Sequence, residues 1–337
     1  MRSKREVSPL HVVLCIILLA VSIVAVFMVL GKSRRENPLL RTTNRKSFIV
    51  VIGKSDTSAF WQSVASGANA AAAEYNLDMN FVAPVHEESY EDQNDMIRAA
   101  INGRARAIVF SAIDYNGNAD AINEAIEAGI PVIIIDSDVN SDRVSCRIMT
   151  DNYLAGRMAG EQAVHNNEGE LTVGIINYDI NSMNGQERER GFCDAVNESG
   201  RVAGIYTVNC LSTEESAYEE TTALLNEHPE INTIAALNEL MSLGSGYAVR
   251  DLELADSVDI YAFDSNVISV GMLETGEIDG LIVQNPYAMG YLSVEAAYNL
   301  INGRELSSEN IDTTTTYVSE SNMYDPSIQR LIFRFEG

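Results

Sequence analysis

The sequence is short of positive charge, and this shortage limits the partners that the protein can have. It contains 23 lysine and arginine residues against 48 aspartate and glutamate residues, which gives a formal net charge of −25. A protein that binds nucleic acid needs a clustered basic face to neutralise phosphates. The basic residues cluster at the N-terminus, where they flank the apolar run described below. We therefore expect no nucleic-acid partner.

Cysteine and histidine are also scarce, with four residues of each. Cys146, Cys193 and Cys210 lie beyond the N-terminal region, and three thiols cannot all pair within one chain. No set of cysteines or histidines has the spacing of metal ligands. We expect the three cysteines to be small buried apolar residues, and we expect neither a metal nor another cofactor.

The motifs of common α/β enzymes are missing as well. The sequence has no G-x-S-x-G, no P-loop and no G-x-G-x-x-G after its first predicted strand. Asp136 and Asp264 could act as an acid–base pair, but hydrogen bonding to ligand hydroxyls explains two such carboxylates without catalysis. We expect a binding protein and not an enzyme.

One long apolar run is present, from Val12 to Leu30. It has no charged residue, and at helical rise it nearly spans a bilayer core. It is longer than the apolar region of a typical signal peptide, so we predict an uncleaved signal anchor, with cleavage after Gly31 as the alternative. Residues 1–11 would be a cytoplasmic tail and residues 31–46 a polar tether. The protein would then be a single-pass protein of the cell membrane, with its binding domain outside the cytoplasm.

After the tether, short apolar runs alternate with helical patterns of about three turns. The first unit, Phe48 to Tyr75, reads as strand, polar loop and helix, with Phe60 and Trp61 where the helix begins. This alternation predicts parallel strands joined by right-handed crossovers. It starts again after Thr150, so the predicted fold class is α/β, with two doubly wound parallel-sheet lobes. No repeat of residues accompanies the repeat of architecture.

Polar side chains follow the apolar strands of both halves. They are Ser58, Asp136, Asn238, Asp264 and Gln284. In open α/β sheets, ligands bind beyond the carboxyl ends of the strands. Together with Phe60 and Trp61, these hydroxyl, carboxylate and amide groups give flat apolar walls and a polar rim, which suit a sugar.

From about Phe48 to Val318 the chain resembles the type I periplasmic sugar-binding proteins of the ribose-binding kind. The matching segments are TSAFWQSVASGA, PVIIIDSD, IMTDNYLAGRMAGE, GQERERGFCDAV, LNELMSLG, IYAFDS and LIVQNPYAMG. The resemblance implies two lobes that close over a sugar about a three-crossing hinge, with crossings near residues 150–151, 284–285 and 303–306. The N-terminal lobe would comprise residues 47–150 and 285–304, and the C-terminal lobe residues 151–284 and 305–337.

The resemblance also implies which residues contact the ligand. The contacts map onto Ser58, Phe60, Trp61, Asp136, Asn238, Asp264 and Gln284. The chain departs from the ribose-binding pattern at Ser137 and Gln186, since that pattern has arginine at both positions. We keep both residues in the predicted site and add Arg188, because Asp138 and Arg188 lie close enough in sequence to compensate. The expected ligand is therefore a pentose, a hexose or a related polyol, with ribose itself left open.

Two membrane partners follow from the resemblance: an ABC sugar permease that takes up the ligand, or a sensor kinase that reads the closed domain. We favour the permease. A sugar-responsive repressor shares this fold, but it would need a DNA-binding helix-turn-helix at the N-terminus. The apolar run Val12 to Leu30 occupies that place, and fold alone does not decide function.

Overall fold

The computed structural model of the chain describes residues 48–333. The predicted cytoplasmic tail, the predicted membrane span at residues 12–30 and the tether lie outside this range. Within the range, no helix is both long and apolar enough to cross a membrane.

The first half of the described chain forms a sheet flanked by helices. Its elements are β1 (Phe48–Ile52), α1 (Ala59–Glu74), β2 (Asp78–Val82), α2 (Tyr90–Asn102), β3 (Ala107–Phe110), α3 (Ala119–Glu127), β4 (Val132–Ile135) and β5 (Cys146–Met149). The five strands pair in parallel in the order β5-β4-β3-β1-β2. This arrangement confirms the prediction of a doubly wound parallel sheet.

The second half repeats the plan. Its elements are α4 (Asn152–Asn166), β6 (Leu171–Tyr178), α5 (Met183–Glu198), β7 (Val202–Cys210), α6 (Glu214–Glu227), β8 (Thr233–Ala236), α7 (Glu239–Asp251), β9 (Asp259–Phe263), α8 (Val267–Thr275) and β10 (Gly280–Val283). The strands pair in parallel in the order β10-β9-β8-β6-β7. The two sheets therefore share one strand order, in which β1 corresponds to β6 and β4 to β9.

The last elements complete both sheets, and they correct one predicted boundary. They are α9 (Pro286–Ile301), β11 (Asn310–Asp312), β12 (Thr316–Val318) and α10 (Pro326–Ile332). Strand β11 pairs with β5 of the first sheet, and β12 pairs antiparallel with β10 of the second. The third passage between the sheets therefore lies between β11 and β12, and the prediction at residues 303–306 is wrong. Strand β11 could not be predicted from an apolar run because it has three residues, two of them polar.

Strand β1 illustrates why these strands need uninterrupted apolar runs. Ile49 and Val51 pack on the side that holds α1 and α9, and Val50 and Ile52 pack on the side that holds α2 and α3. At most 5% of any of these four residues is exposed. A strand covered on both faces cannot alternate apolar and polar residues.

Glycines allow two pairs of helices to approach closely, and each pair carries part of the site described below. A Cβ atom at Gly290 in α9 would lie 2.0 Å from the carbonyl oxygen of Val64 in α1. A Cβ atom at Gly191 in α5 would lie 2.1 Å from the carbonyl oxygen of Tyr153 in α4. These contacts fix α1, which begins with two aromatic residues, and α5, which carries Arg188.

Candidate functional site

A cavity lies between residues that follow the strands of the two sheets. It is lined by Lys54, Ser58, Phe60, Trp61, Glu87, Asp136, Tyr178, Asn184, Arg188, Asn238, Glu239, Leu240, Asp264 and Gln284. Both halves of the chain contribute, as the strand-end pattern predicted.

Eight of the ten predicted site residues line this cavity. They are Ser58, Phe60, Trp61, Asp136, Arg188, Asn238, Asp264 and Gln284. Ser137 is buried next to the cavity without lining it, and its hydroxyl has no hydrogen-bond partner among residues 48–333. Gln186 is exposed, and its Nε2 donates to the carbonyl oxygen of Ile180 at 2.7 Å. The structure therefore does not bring Ser137 and Gln186 to the other eight.

The aromatic pair forms an apolar wall of the cavity. Phe60 and Trp61 are 9% and 3% exposed, and their ring centroids lie 5.3 Å apart with an angle of 80° between the ring planes. Both residues line the cavity, as the flat apolar walls predicted from the sequence require. The hydroxyl of Ser58, the N-cap of α1, accepts from the backbone N–H of Trp61 at 3.4 Å and so positions the pair.

Asp136 and Asp264 occupy corresponding positions in the two halves. Asp136 directly follows β4 and Asp264 directly follows β9, and their φ angles are 56° and 70°. Aspartate is one of the few non-glycine residues that adopt this left-handed conformation, which is often found at functional sites. Asp136 Oδ2 accepts from Ser111 Oγ at 3.0 Å, and Asp264 Oδ1 accepts from Gln284 Nε2 at 2.6 Å. Each carboxylate is thereby held at the cavity by a neighbouring strand end.

Arg188 is fully buried and keeps one donor unused. Its Nε donates to Asn152 Oδ1 at 2.9 Å and its Nη1 to the carbonyl oxygen of Leu237 at 2.8 Å. The guanidinium carbon lies 4.6 Å from the centroid of the Phe263 ring. Nη2 has no partner in the described part of the chain, and a buried unpaired donor costs about 1–3 kcal/mol. A molecule that accepts a hydrogen bond from Nη2 would remove that cost.

Six lining residues were not predicted. They are Lys54, Glu87, Tyr178, Asn184, Glu239 and Leu240. Lys54, Tyr178 and Glu239 lie at or just beyond the ends of β1, β6 and β8, so the strand-end signal could have found them. Glu87 and Asn184 lie in a loop and near the start of α5, and only the packing of the two halves brings them to the cavity.

Hydrogen bonds cross between the two halves around the cavity. Glu239 accepts from the backbone N–H groups of Ala59 and Phe60 at 3.2 and 2.9 Å, so a carboxylate of the second half caps helix α1 of the first. A second hydrogen bond between the halves runs from Ser212 Oγ to Glu87 Oε2 at 2.8 Å. The structure therefore has the two halves closed upon the cavity.

The charges that line the cavity are mixed, with carboxylates in excess. Lys54 and Arg188 face Glu87, Asp136, Glu239 and Asp264. Burial raises the pKa of Glu87 to about 7 and the pKa of Asp264 to about 6, while Lys54 and Arg188 respectively oppose these shifts. Burial also lowers the pKa of Lys54. Donors and acceptors in this mixture match hydroxyl groups, which can both donate and accept, whereas an anionic ligand would meet repulsion.

Comparisons with known proteins agree on one kind of protein. The periplasmic binding protein domain family matches residues 49–305. A D-ribose/D-allose-binding protein from Pseudomonas aeruginosa is 25% identical over 271 residues, which cover 78% of this chain and 84% of that protein.

Solved structures give the same picture. A carbohydrate transporter solute binding protein from Agrobacterium radiobacter, in complex with D-arabinose, is 29% identical, with a TM-score of 0.82 over 86% of this chain and 99% of that one. A chain of the XylFII-LytSN complex is 28% identical, with a TM-score of 0.77 over 82% of this chain and 98% of that one.

Proposed function

We propose that this chain, which belongs to the periplasmic binding protein family and is therefore a solute-binding protein and not an enzyme, binds a neutral monosaccharide and delivers it to an ABC sugar permease. The observation that carries the proposal is the composition of the cavity between the halves. Phe60 and Trp61 offer flat apolar walls beside the carboxylates of Asp136 and Asp264 and the unused donor of Arg188. A sugar ring has the matching surfaces, with apolar C–H faces and hydroxyl edges.

Each polar residue of the cavity has its own role in binding the ligand. Asp136 and Asp264 accept hydrogen bonds from ligand hydroxyls, and Arg188 donates to a hydroxyl or the ring oxygen. Gln284 acts through Asp264, since its Nε2 donates to that carboxylate and its Oε1 accepts from Thr150 Oγ1 at 2.8 Å. Asn238 caps α7 through Oδ1, its Nδ2 donates to Ser212 Oγ at 3.3 Å, and its side chain lines the cavity.

The size and charge of the cavity define the ligand class. The cavity is enclosed between the two lobes, which suits one sugar ring and not a chain of rings. The excess of carboxylates favours neutral sugars over sugar acids and sugar phosphates. The relatives named above bind D-ribose, D-allose or D-arabinose according to their descriptions, and this range of pentoses and hexoses supports the same class.

The ligand enters and leaves by a hinge motion of two lobes. With the corrected third crossing, the N-terminal lobe comprises residues 48–150 and 285–312, and the C-terminal lobe residues 151–284 and 313–333. The hydrogen bond between Thr150 and Gln284 joins the first two crossings. The apolar run at residues 12–30 anchors the domain to the outer face of the cell membrane, where the ligand reaches it from outside the cell.

The partner in the membrane is a permease, and a sensor kinase is the second candidate. Relatives described as carbohydrate transporter components support the permease, whereas the likeness to a chain of the XylFII-LytSN complex supports the second candidate. Deletion of the gene separates them. Lost uptake of the sugar supports transport, whereas normal uptake with a lost transcriptional response supports sensing.

A thermal-shift screen tests the binding proposal. The full-length chain is melted with neutral pentoses and hexoses and, in parallel, with the corresponding sugar acids. A ligand that binds only the folded state stabilises it by about 2.7 kcal/mol at a concentration 100 times the Kd, and this added stability raises the melting temperature. We expect a shift with at least one neutral sugar and none with its acid, and no shift with any neutral sugar would refute the proposal.

A further inference from the structure

Lys54 is the only lysine after residue 46 of the sequence, where all other permanently cationic side chains are arginines. It lies just beyond β1 and lines the cavity, with 4% of its surface exposed. A buried ammonium group is costly unless carboxylates and hydrogen-bond acceptors surround it. Its position in a domain that otherwise uses arginine points to a role at the site.

The surroundings of Lys54 leave one of its donors available. Nζ donates to Ser182 Oγ at 2.8 Å and to Asn184 Oδ1 at 3.3 Å, both from the C-terminal lobe. An ammonium group has three N–H donors, so these two bonds leave a third. The nearest carboxylate oxygen is Asp136 Oδ2 at 3.8 Å, which is an ion-pair distance but too long for a hydrogen bond.

The spacing of Lys54 Nζ and Asp136 Oδ2 allows both atoms to contact one hydroxyl oxygen that lies beside them. An oxygen placed about 2.8 Å from each of two atoms 3.8 Å apart makes an ordinary hydrogen bond to both. Such a hydroxyl would accept from Nζ and donate to Oδ2. Asn184 holds the pair from the other lobe, since its Oδ1 accepts from Lys54 and its Nδ2 donates to Asp136 Oδ1 at 3.1 Å.

We propose that Lys54 and Asp136 jointly hold one hydroxyl of the bound sugar, which makes Lys54 a specificity-determining residue of the site. The inference rests on the proposed function and adds to it a cation supplied by the first strand. That cation takes the place of the arginines which the ribose-binding pattern has at Ser137 and Gln186. The ligand class is a neutral sugar with a free hydroxyl at this position, and a sugar without that hydroxyl is discriminated against.

The test pairs variants with ligands that lack single hydroxyls. Titration calorimetry measures Kd for D-ribose, D-arabinose, D-xylose, D-glucose and D-galactose, and for monodeoxy analogues of each sugar that binds. In the wild-type chain, loss of one particular hydroxyl should weaken binding by about tenfold to a hundredfold. In Lys54→Met the parent sugar should bind more weakly, and loss of that hydroxyl should weaken binding by a smaller factor than in the wild type, because only Asp136 then contacts it. A merely structural role of Lys54 would weaken binding of the parent and of every analogue alike.

Two further variants keep the test decisive. Arg98→Met removes an exposed cation from the same lobe and should leave every Kd unchanged. Lys54→Gln keeps a neutral donor and replaces Lys54→Met if thermal melting shows that the methionine variant does not fold. If the wild-type chain binds none of the sugars, the proposed function fails and the inference fails with it. If the wild-type chain binds a sugar but neither Lys54 variant changes the ratio of Kd between parent and analogues, sugar binding stands and the role of Lys54 is refuted.

Discussion

At the scale of single residues, each lobe presents one cation and two carboxylates to the cavity. Lys54 accompanies Glu87 and Asp136 in the N-terminal lobe, and Arg188 accompanies Glu239 and Asp264 in the C-terminal lobe. Burial raises the pKa of Glu87 and of Asp264, and Lys54 and Arg188 respectively oppose these two shifts. Closing the lobes therefore brings two donor–acceptor pairs to opposite sides of a ligand.

The substitution Asp264→Ala should weaken sugar binding, because it removes a charged acceptor from a buried site. A hydrogen bond to a charged group contributes about 1.5–3 kcal/mol, which corresponds to a rise in Kd of about 10- to 150-fold. Titration calorimetry with the sugar found by the thermal-shift screen measures the change. Asp142→Ala, which removes an exposed carboxylate outside the cavity, is the matched control and should bind like the wild type. An unchanged Kd for Asp264→Ala would remove this residue from the site.

Affinity should fall as the pH falls through about 6, because Asp264 has its pKa raised to about 6 and accepts hydrogen bonds best when ionised. The stability of the free protein changes with pH in the opposite direction to the affinity. The folded state takes up this proton near pH 6 and the unfolded state near pH 3.9, so Asp264 makes the fold less stable as the pH rises from about 3.9 to about 6. Kd measured from pH 7.5 to 5 should show the loss, and Asp264→Asn should remove that step. A step of the same size in Asp264→Asn would assign it to another group, such as Glu87.

At the scale of elements, the start of α1 and the α4–α5 contact position the site. Glu239 supplies the carboxylate that the N-terminal N–H groups of α1 favour, and it does so from the other lobe. The contact of α5 with α4 depends on glycine, and α5 carries Arg188.

The substitution Gly191→Ala should destabilise the fold, because its Cβ atom would lie 2.1 Å from the carbonyl oxygen of Tyr153. Overpacking of this kind costs about 1–3 kcal/mol. Gly271→Ala is the matched control, since it lies within α8 with no heavy atom of a neighbour within 4 Å of the added Cβ. Better helix propensity should make that variant more stable by about 1 kcal/mol. Urea midpoints measure both changes, and a loss of stability in both variants would contradict the packing argument.

The substitution Glu239→Ala should favour the open form. In the closed form it leaves the N–H groups of Ala59 and Phe60 without an acceptor, whereas in the open form these groups do not depend on Glu239. Buried unpaired donors cost about 1–3 kcal/mol. Small-angle scattering without sugar should give a larger radius of gyration for the variant than for the wild type. Glu239→Gln keeps an acceptor and should fall between them. Equal radii for all three proteins would show that Glu239 does not hold the lobes together.

Most elements could be predicted because their strands are short apolar runs between helical patterns. Strand β2 begins at the polar Asp78, which is tolerated because β2 lies at the sheet edge, so no apolar run marks its start. Helix α8 was missed, although Asn266 caps it with a capping box and Gly276 ends it in a left-handed conformation. Strands β11 and β12 have three residues each, too few for any periodicity to show.

At the scale of the whole molecule, two sheets of the same strand order face one cavity across three crossings of the chain. The sequence predicted the repeated plan and the strand-end residues, because both depend on local patterns. It did not predict that Gln186 turns away or that Glu87 reaches the cavity, because both depend on how the lobes meet. Lys54 was not predicted although it lies just beyond β1, because the predicted strand-end residues were those with hydroxyl, carboxylate and amide groups.

The most direct test of the central claim is a crystal structure of the chain grown with the neutral sugar that gives the largest thermal shift. We predict density for one sugar ring between the lobes, packed against Phe60 and Trp61 and hydrogen-bonded to Asp136, Arg188 and Asp264. A ring bound elsewhere on the protein, or no sugar in the cavity at a saturating concentration, would contradict the account.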